Sequence, residues 1–223
     1  MTKKAMLMLA AVMAISTLLT GCASSPEEEM YEHLEKSVEL EAAFKEQQSL
    51  LVEAEKKEQE LYNEIVQLSL EEYDKIKELS EKALKHAENR EQLIDKEKES
   101  LTLAFKEFKN VSPLIEKIDE EAVKKEAGKL EENVQKRYDA YEQLHKEYQK
   151  SIAFDKELYE MLQSKELTAE ELDLQLQKIN KQYEKVIQQN NAFTKYTNLY
   201  NQAKQTFYQK ANLNVAFEEN KEN

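Results

Sequence analysis

The sequence is poor in the residues that make turns and cross-links. Its 223 residues include two glycines, two prolines, one cysteine and no tryptophan. A single cysteine excludes a disulfide within the chain. A compact α/β domain of this size needs many turn glycines, so their scarcity argues against that class. A phosphate-binding loop is excluded for the same reason, because Gly128 is the only glycine after position 21.

Catalytic patterns are also missing. The sequence has no His-Glu-x-x-His and no Gly-x-Ser-x-Gly, and nothing singles out one pair among its many carboxylates, so it does not indicate an enzyme. Glu142 and His145 match half of the Glu-x-x-His pattern of di-iron bundles, but a site needs two such motifs. We therefore predict no metal and no cofactor, and expect His145 to lie beside the helix core between Tyr141 and Tyr148.

Positive charge is the third shortage. Lys and Arg number 32 against 45 Asp and Glu, which leaves a formal net charge of −13. Proteins that bind nucleic acid need clustered basic residues, so that class is disfavoured. The same acidic surface is repelled by anionic lipid headgroups and anionic wall polymers within about a Debye length. A neutral glycan, or bridging divalent cations, would avoid this repulsion.

The one long apolar run lies at the N-terminus. Two lysines in residues 1–4 precede the uncharged stretch 5–19, which has the length of a signal-peptide core and falls short of the roughly 20 apolar residues that span a bilayer. The run ends in four residues that resemble the bacterial lipobox: Leu19, Thr20, Gly21 and Cys22. This resemblance implies cleavage after Gly21 and a diacylglycerol group on the Cys22 thiol. It places the chain on the outer face of the cytoplasmic membrane, where two acyl chains suffice for stable anchoring.

The rest of the chain is predicted to be helical almost from the lipid onward. Residues 1–21 are the expected signal peptide, 22–26 the lipidated cysteine with a short linker, 27–211 a helical bundle and 212–223 a flexible tail. Ser25 is a suitable N-cap with Pro26 at the first helical position. The commonest residues are helix formers, and the apolar residues recur at steps of three and four. One such series is Tyr73, Ile76, Ala83, Ala87, Ile94, Leu101, Ala104, Phe108 and Val111.

Three positions predict breaks between helices. Ser69 and Thr168 each precede a Glu by three residues, as in a capping box. Ser112 is a good N-cap followed by Pro113, and the helix after it should run to about Ser164. The spacing predicts an all-α, elongated, up-and-down antiparallel bundle or coiled coil of three to four long helices. An unbroken helix over 27–111, longer than roughly 120 Å, stays open as an alternative.

For four residues that are polar, aromatic or small, the sequence position predicts a specific structural role. Tyr196 and Tyr208 fall off the apolar series and are candidates for surface aromatic contacts with a glycan or peptide. Asn190 falls within the series Leu172, Leu176, Ile179, Tyr183, Val186, Asn190, Phe193, Thr197, Tyr200 and Phe207, so it is a candidate for a buried polar residue. Gly128 indicates a kink or a close helix contact.

Taken together, the lipobox at Cys22, the Glu-rich helix that follows at once and the Tyr- and Gln-rich C-terminal half resemble the YkyA-type cell-wall binding lipoproteins of Bacillus and Staphylococcus relatives. This resemblance covers nearly the whole chain. It implies an up-and-down helical fold and association with the cell wall. The anchor, the rod shape and the lack of catalytic motifs favour a non-catalytic contact with peptidoglycan or an envelope protein outside the membrane. Two alternatives stay open: a bundle that holds a small hydrophobic or metal ligand, and a coiled-coil partner of an envelope protein complex.

Overall fold

The computed structural model describes residues 24–213 and Val215, and nearly all of these residues are helical. Within that part of the chain lie six α-helices: α1 Pro26–Leu40, α2 Ala42–Ile65, α3 Tyr73–Phe108, α4 Ser112–Ile115, α5 Glu121–Met161 and α6 Ala169–Lys210. A short 3-10 turn, Leu70–Glu72, precedes α3.

These helices form four antiparallel stretches, which confirms the predicted all-α, up-and-down bundle. The first stretch is α1 followed by α2, and α3, α5 and α6 are the other three, each packed against its neighbour in sequence. At 42 residues, α6 is about 63 Å long. The single helix over 27–111 is wrong, because α2 ends at Ile65 and α3 begins only at Tyr73.

Local capping chemistry sets three of the helix starts. Ser25, Ser69 and Thr168 each form a complete capping box with the Glu three residues later. At Ser25 and Thr168, the cap hydroxyl accepts a hydrogen bond from the Glu backbone N–H, and the Glu carboxylate accepts one from the cap backbone N–H. At Ser69, the Glu72 carboxylate accepts a hydrogen bond from the Ser69 N–H, and the Glu72 N–H donates to the Ser69 carbonyl. The predicted starts near 26, 69 and 168 are therefore confirmed.

The predicted start at Ser112 is wrong in detail. Val111 holds the N-cap position, Ser112 is the first residue of the four-residue helix α4, and the long helix α5 begins nine residues later at Glu121. The Ser112 hydroxyl donates to Glu131 instead of capping its own helix. The reason is hydrophobic burial: α4 folds across the end of the bundle and covers it with Leu114 and Ile115.

The core follows the apolar series closely. In α3, all the predicted core residues except the half-buried Tyr73 are buried. Asn190 is a correction, because it is exposed while Val186 and Phe193 on either side point inward. Of the two interpretations of Gly128, the close helix contact is wrong, because a Cβ built there meets nothing within 4 Å. The kink stays a prediction.

The two ends of the bundle are distinct. The first turns of α1 and the last turns of α6 meet at one end, where the rings of Tyr31 and Tyr208 lie 5.2 Å apart. We call this end the base; Leu213 and Val215, at the start of the predicted tail, pack against it. The α2–α3 and α5–α6 connections meet at the other end, the tip, where the Tyr73 hydroxyl donates to the Gln163 carbonyl at 2.5 Å. Among the described residues, no helix has the length and hydrophobicity needed to cross a bilayer.

Candidate functional site

One level of the bundle interior is charged instead of apolar. Arg90 on α3 is only 1% exposed. Its Nη1 donates to Glu58 Oε2 at 2.8 Å and to Asp155 Oδ2 at 3.0 Å. Its Nη2 donates to the hydroxyls of Tyr148 at 3.2 Å and Tyr183 at 2.9 Å. These five side chains, the Arg90 layer, join all four stretches of the bundle.

The charges of the Arg90 layer do not cancel. One guanidinium faces two buried carboxylates, and burial raises the pKa of both Glu58 and Asp155 although Arg90 opposes the shift. Tyrosine hydroxyls supply further hydrogen bonds: Tyr183 donates to Asp155 Oδ2 at 2.7 Å, and Tyr159 donates to Glu58 Oε1 at 3.2 Å. Removing the cation would leave two carboxylates with little to compensate their desolvation.

A second charged level lies nearer the base. Arg137 on α5 forms a bidentate ion pair with Glu41, in which Nη1 donates to Oε1 at 2.5 Å and Nη2 donates to Oε2 at 2.7 Å. The Arg137 guanidinium also lies 5.4 Å from the ring centre of Phe193 and 5.5 Å from that of Tyr200. Glu41 is the residue between α1 and α2, so this Arg137 layer fixes the one break in the first stretch. Sequence reasoning did not identify either layer.

Between these layers, Glu97 on α3 is buried without a cation. The Tyr141 hydroxyl donates to its Oε2 at 3.4 Å, and its Oε1 has no hydrogen-bond partner within the described range. Burial raises the pKa of Glu97 to about 8, and the nearby Glu55 adds to that shift. Near neutral pH, much of this carboxyl is therefore protonated, which lowers the cost of burying it.

The two tyrosines predicted for surface contacts differ in the structure. Tyr208 is a correction: it is fully buried at the base, and its hydroxyl donates to Glu35 Oε1 at 2.7 Å. Its ring fills the space between α1 and α6, a position off the main series that still faces the core. Tyr196 is half-buried on the flank of α6, packed against the Phe44 cluster, with the Lys195 ammonium 5.5 Å from its ring centre.

Glu142 and His145, which match half of a metal-binding motif, each pair with a residue of α3. His145 is buried beside Tyr141, as predicted, and its Nε2 lies 3.1 Å from Asp95 Oδ1. Burial lowers the pKa of His145. Glu142 pairs with Lys98 at 3.0 Å. Among residues 24–213 and Val215, no cluster of three or more acidic, His or Cys side chains has a geometry for a metal ion. The lipobox, Leu19 to Cys22, lies outside the described residues, so the lipid site stays a prediction.

The interior offers little space for a ligand at the Arg137 layer. The cavity beside Arg137, lined by Tyr141 and Phe193 among others, measures about 10 Å³, which is room for about one water molecule. A larger space of about 420 Å³ is an open groove near the tip, between Met161 on α5 and Leu174 on α6. The Arg137–Glu41 pair therefore joins helices beside a cavity too small for a substrate.

A similar fold occurs in the crystal structure of a conserved protein of unknown function from Staphylococcus aureus. That structure superimposes with a TM-score of 0.73, at 19% identity, over 83% of this chain and 97% of the other, which shows a common fold. The chain further matches the YkyA family, described as "putative cell-wall binding lipoprotein", over residues 25–210. It is 36% identical over 203 residues, 91% of each chain, to the uncharacterized lipoprotein YkyA of Bacillus subtilis (strain 168). The chain belongs to this family of lipoproteins.

Proposed function

We propose that this chain is an extracytoplasmic rod, anchored by lipid at Cys22, that binds the cell wall through its outer surface without catalysis. The family description supports a role at the wall. The N-terminal apolar run and the lipobox residues support the anchor. The helical fold supports the rod, because four stretches of up to 42 residues give a body about 60 Å long.

The observation that carries this proposal is the closed interior. Arg90 and Arg137 form ion pairs with buried acidic residues of other helices. General acid–base or metal chemistry would instead need such side chains to face a cleft. Binding by such a molecule takes place on its exterior. The alternative of a small ligand held inside the bundle loses support at the Arg137 layer, because the cavity there measures about 10 Å³. The groove of about 420 Å³ near the tip is open to solvent, so a ligand there would also bind on the exterior.

A second candidate function, that of an adaptor for an envelope protein, is favoured by the tip. Leu70 is 88% exposed there and Val66 58% exposed, both in the α2–α3 connection. Exposed apolar side chains at the end of a rod are suited to a protein contact. The two functions are compatible, since the tip and the sides of the rod are separate surfaces.

Co-sedimentation tests the wall-binding proposal. The full-length chain, solubilised in detergent, is incubated with purified peptidoglycan sacculi at low salt with and without Mg²⁺, and the pelleted fraction is measured. We expect retention by the sacculi, and no retention of an unrelated acidic helical protein taken through the same steps. If the chain stays in the supernatant under all these conditions, wall binding is wrong and the adaptor function becomes the better candidate.

A further inference from the structure

Acidic residues disappear from the last part of α6. The sequence has 45 Asp and Glu among 223 residues, yet none occurs between Glu184 and Glu218. Helix α6 continues through this segment to Lys210. The change in composition therefore concerns a regular helix within the bundle, not an irregular tail.

The outward face of this half-helix is a row of amides. Seven exposed residues follow one another at alternating steps of three and four: Gln188, Asn191, Lys195, Asn198, Gln202, Gln205 and Gln209. Such steps keep side chains on one face of a helix. We call this row the amide stripe. From Gln188 to Gln209 the stripe covers 22 residues, which corresponds to about 32 Å along the rod, and Lys195 is its only charged member.

The other long helices have a different outer surface. Their exposed residues form opposite-charge pairs one turn apart, as with Glu53 and Lys57 on α2, Glu78 and Lys82 on α3, and Glu132 and Lys136 on α5. Such pairs stabilise exposed helices. The stripe has none of these among the ion pairs of the described residues.

Helix stability does not account for the stripe. Asn is a poorer helix former than Lys, Glu or Ala. Asn191 and Asn198 nevertheless occupy exposed positions in the middle of α6. Within the described part of the chain, the stripe's amide groups make no side-chain hydrogen bond that would offset this cost. Their donors and acceptors face outward and are available to a ligand.

We infer that the amide stripe binds a glycan strand of the wall, rich in hydroxyl and acetamido groups. This inference rests on the proposed wall binding and assigns it a surface. Each Asn or Gln amide offers two donors and one acceptor, which match hydroxyl and acetamido groups without requiring a charge. The stripe also lacks the carboxylates that repel anionic wall polymers from the other faces. A protein partner would require buried aromatic or apolar anchors, and the stripe has none.

A pair of charge-matched triple variants tests this assignment. The stripe variant carries Gln188→Glu, Gln202→Glu and Gln205→Glu. The control variant carries Gln59→Glu, Gln92→Glu and Gln143→Glu at exposed positions of α2, α3 and α5. Both full-length chains gain the same three charges. They are compared with the wild type on sacculi freed of protein and of anionic polymers, after circular dichroism has established that helix content and melting are unchanged.

We expect the stripe variant to bind about tenfold more weakly, because amide donors are lost and carboxylates are added where the glycan lies. The control variant should bind within about twofold of the wild type. Soluble glycan fragments released by a muramidase should compete for the wild-type chain, and free stem peptides should not. Equal weakening of both triple variants would indicate general repulsion and overturn the assignment.

A second stripe variant separates a loss of binding from a loss of folding. Asn191→Ala combined with Asn198→Ala improves helix propensity, so this chain should be at least as stable as the wild type. It should still bind about threefold more weakly, because two amides are lost. If both stripe variants bind like the wild type, or if only sacculi that retain protein are bound, the stripe is not the glycan site. Retention of the wild type on clean sacculi would keep the proposed function intact, whereas failure of the wild type to bind would end both.

Discussion

Arg90 is a single side chain on which all four stretches of the bundle converge. Replacing it with Met would leave Glu58 and Asp155 buried without their cation. We expect a loss of about 3–5 kcal/mol in the free energy of unfolding at pH 7, because an uncompensated buried charge is strongly destabilising. Urea unfolding followed by circular dichroism measures this. Lys82→Met, at an exposed pair, should change stability by less than about 0.5 kcal/mol.

Neutralising the partners provides the complementary variant. In Arg90→Met combined with Glu58→Gln and Asp155→Asn, no buried charge remains in the layer, so much of the lost stability should return. If Arg90→Met alone is as stable as the wild type, the layer does not hold the bundle together and its description as a structural element is wrong.

Glu97 should make the folded chain less stable as pH rises. A surface carboxylate whose pKa is lowered by an ion pair has the opposite effect. Its pKa rises from 4.5 to about 8 on folding, mainly through burial. Between these values the folded chain holds a proton that the unfolded chain has released, so stability falls as pH rises, by no more than about 1.4 kcal/mol per pH unit. Glu97→Gln should flatten this decline between about pH 5 and pH 8. Thermal melts across that range measure it, and equal slopes for both chains would contradict the assignment.

At the scale of elements, the start of α6 depends on one hydroxyl. Thr168 accepts a hydrogen bond from the Glu171 backbone N–H at 3.2 Å, and the Glu171 carboxylate accepts one from the Thr168 N–H at 3.0 Å. We expect Thr168→Ala to cost about 1 kcal/mol of unfolding free energy, measured by urea unfolding. Thr206→Ala is the matched control, since Thr206 lies within α6 and bonds only to the Gln202 carbonyl. That change should be neutral or slightly stabilising, and a similar loss in both variants would rule out a specific capping effect.

The capped helix starts could be predicted because their chemistry is local. Ser25, Ser69 and Thr168 each lie three residues before the Glu that completes the box. The break at Glu41 could not be predicted, since Glu-Ala-Ala continues a helix by every local criterion. It is associated with a distant partner, Arg137 on α5, which sequence spacing does not reveal.

The charged layers had a partial signal in the sequence. The apolar series of α3 steps by seven from Ala87 to Ile94 and again from Ile94 to Leu101, and Arg90 and Glu97 occupy the skipped inward positions. An arginine at such a position was detectable, particularly as the chain has only two. Its partners were not, because Glu58 and Asp155 lie on other stretches among many similar carboxylates. The prediction that Tyr208 lies on the surface was wrong for a related reason. Its burial depends on a contact with Tyr31 on α1, which the spacing within α6 does not reveal.

At the scale of the whole molecule, the proposed lipid anchor makes the location of the chain depend on Cys22. We expect Cys22→Ala to accumulate as a precursor that keeps residues 1–21 and takes up no radioactive fatty acid, because no thiol is available for acylation. Labelling followed by membrane fractionation measures both effects. Ser24→Ala, two residues on, should be processed and labelled normally. Fatty-acid labelling that persists without the cysteine would disprove the assignment of the lipid site.

The contact between Tyr31 and Tyr208 has a consequence for where the rod can work. Because the chain returns to its starting level, the amide stripe occupies the lower half of the molecule, and the segment from Cys22 to the capped start of α1 is only a few residues long. In a lipid-anchored chain, this short connection sets an upper limit on the height of the amide stripe, so its amides can reach wall material only within about 30–40 Å of the bilayer surface. Wall layers farther from the membrane than this would be out of their reach.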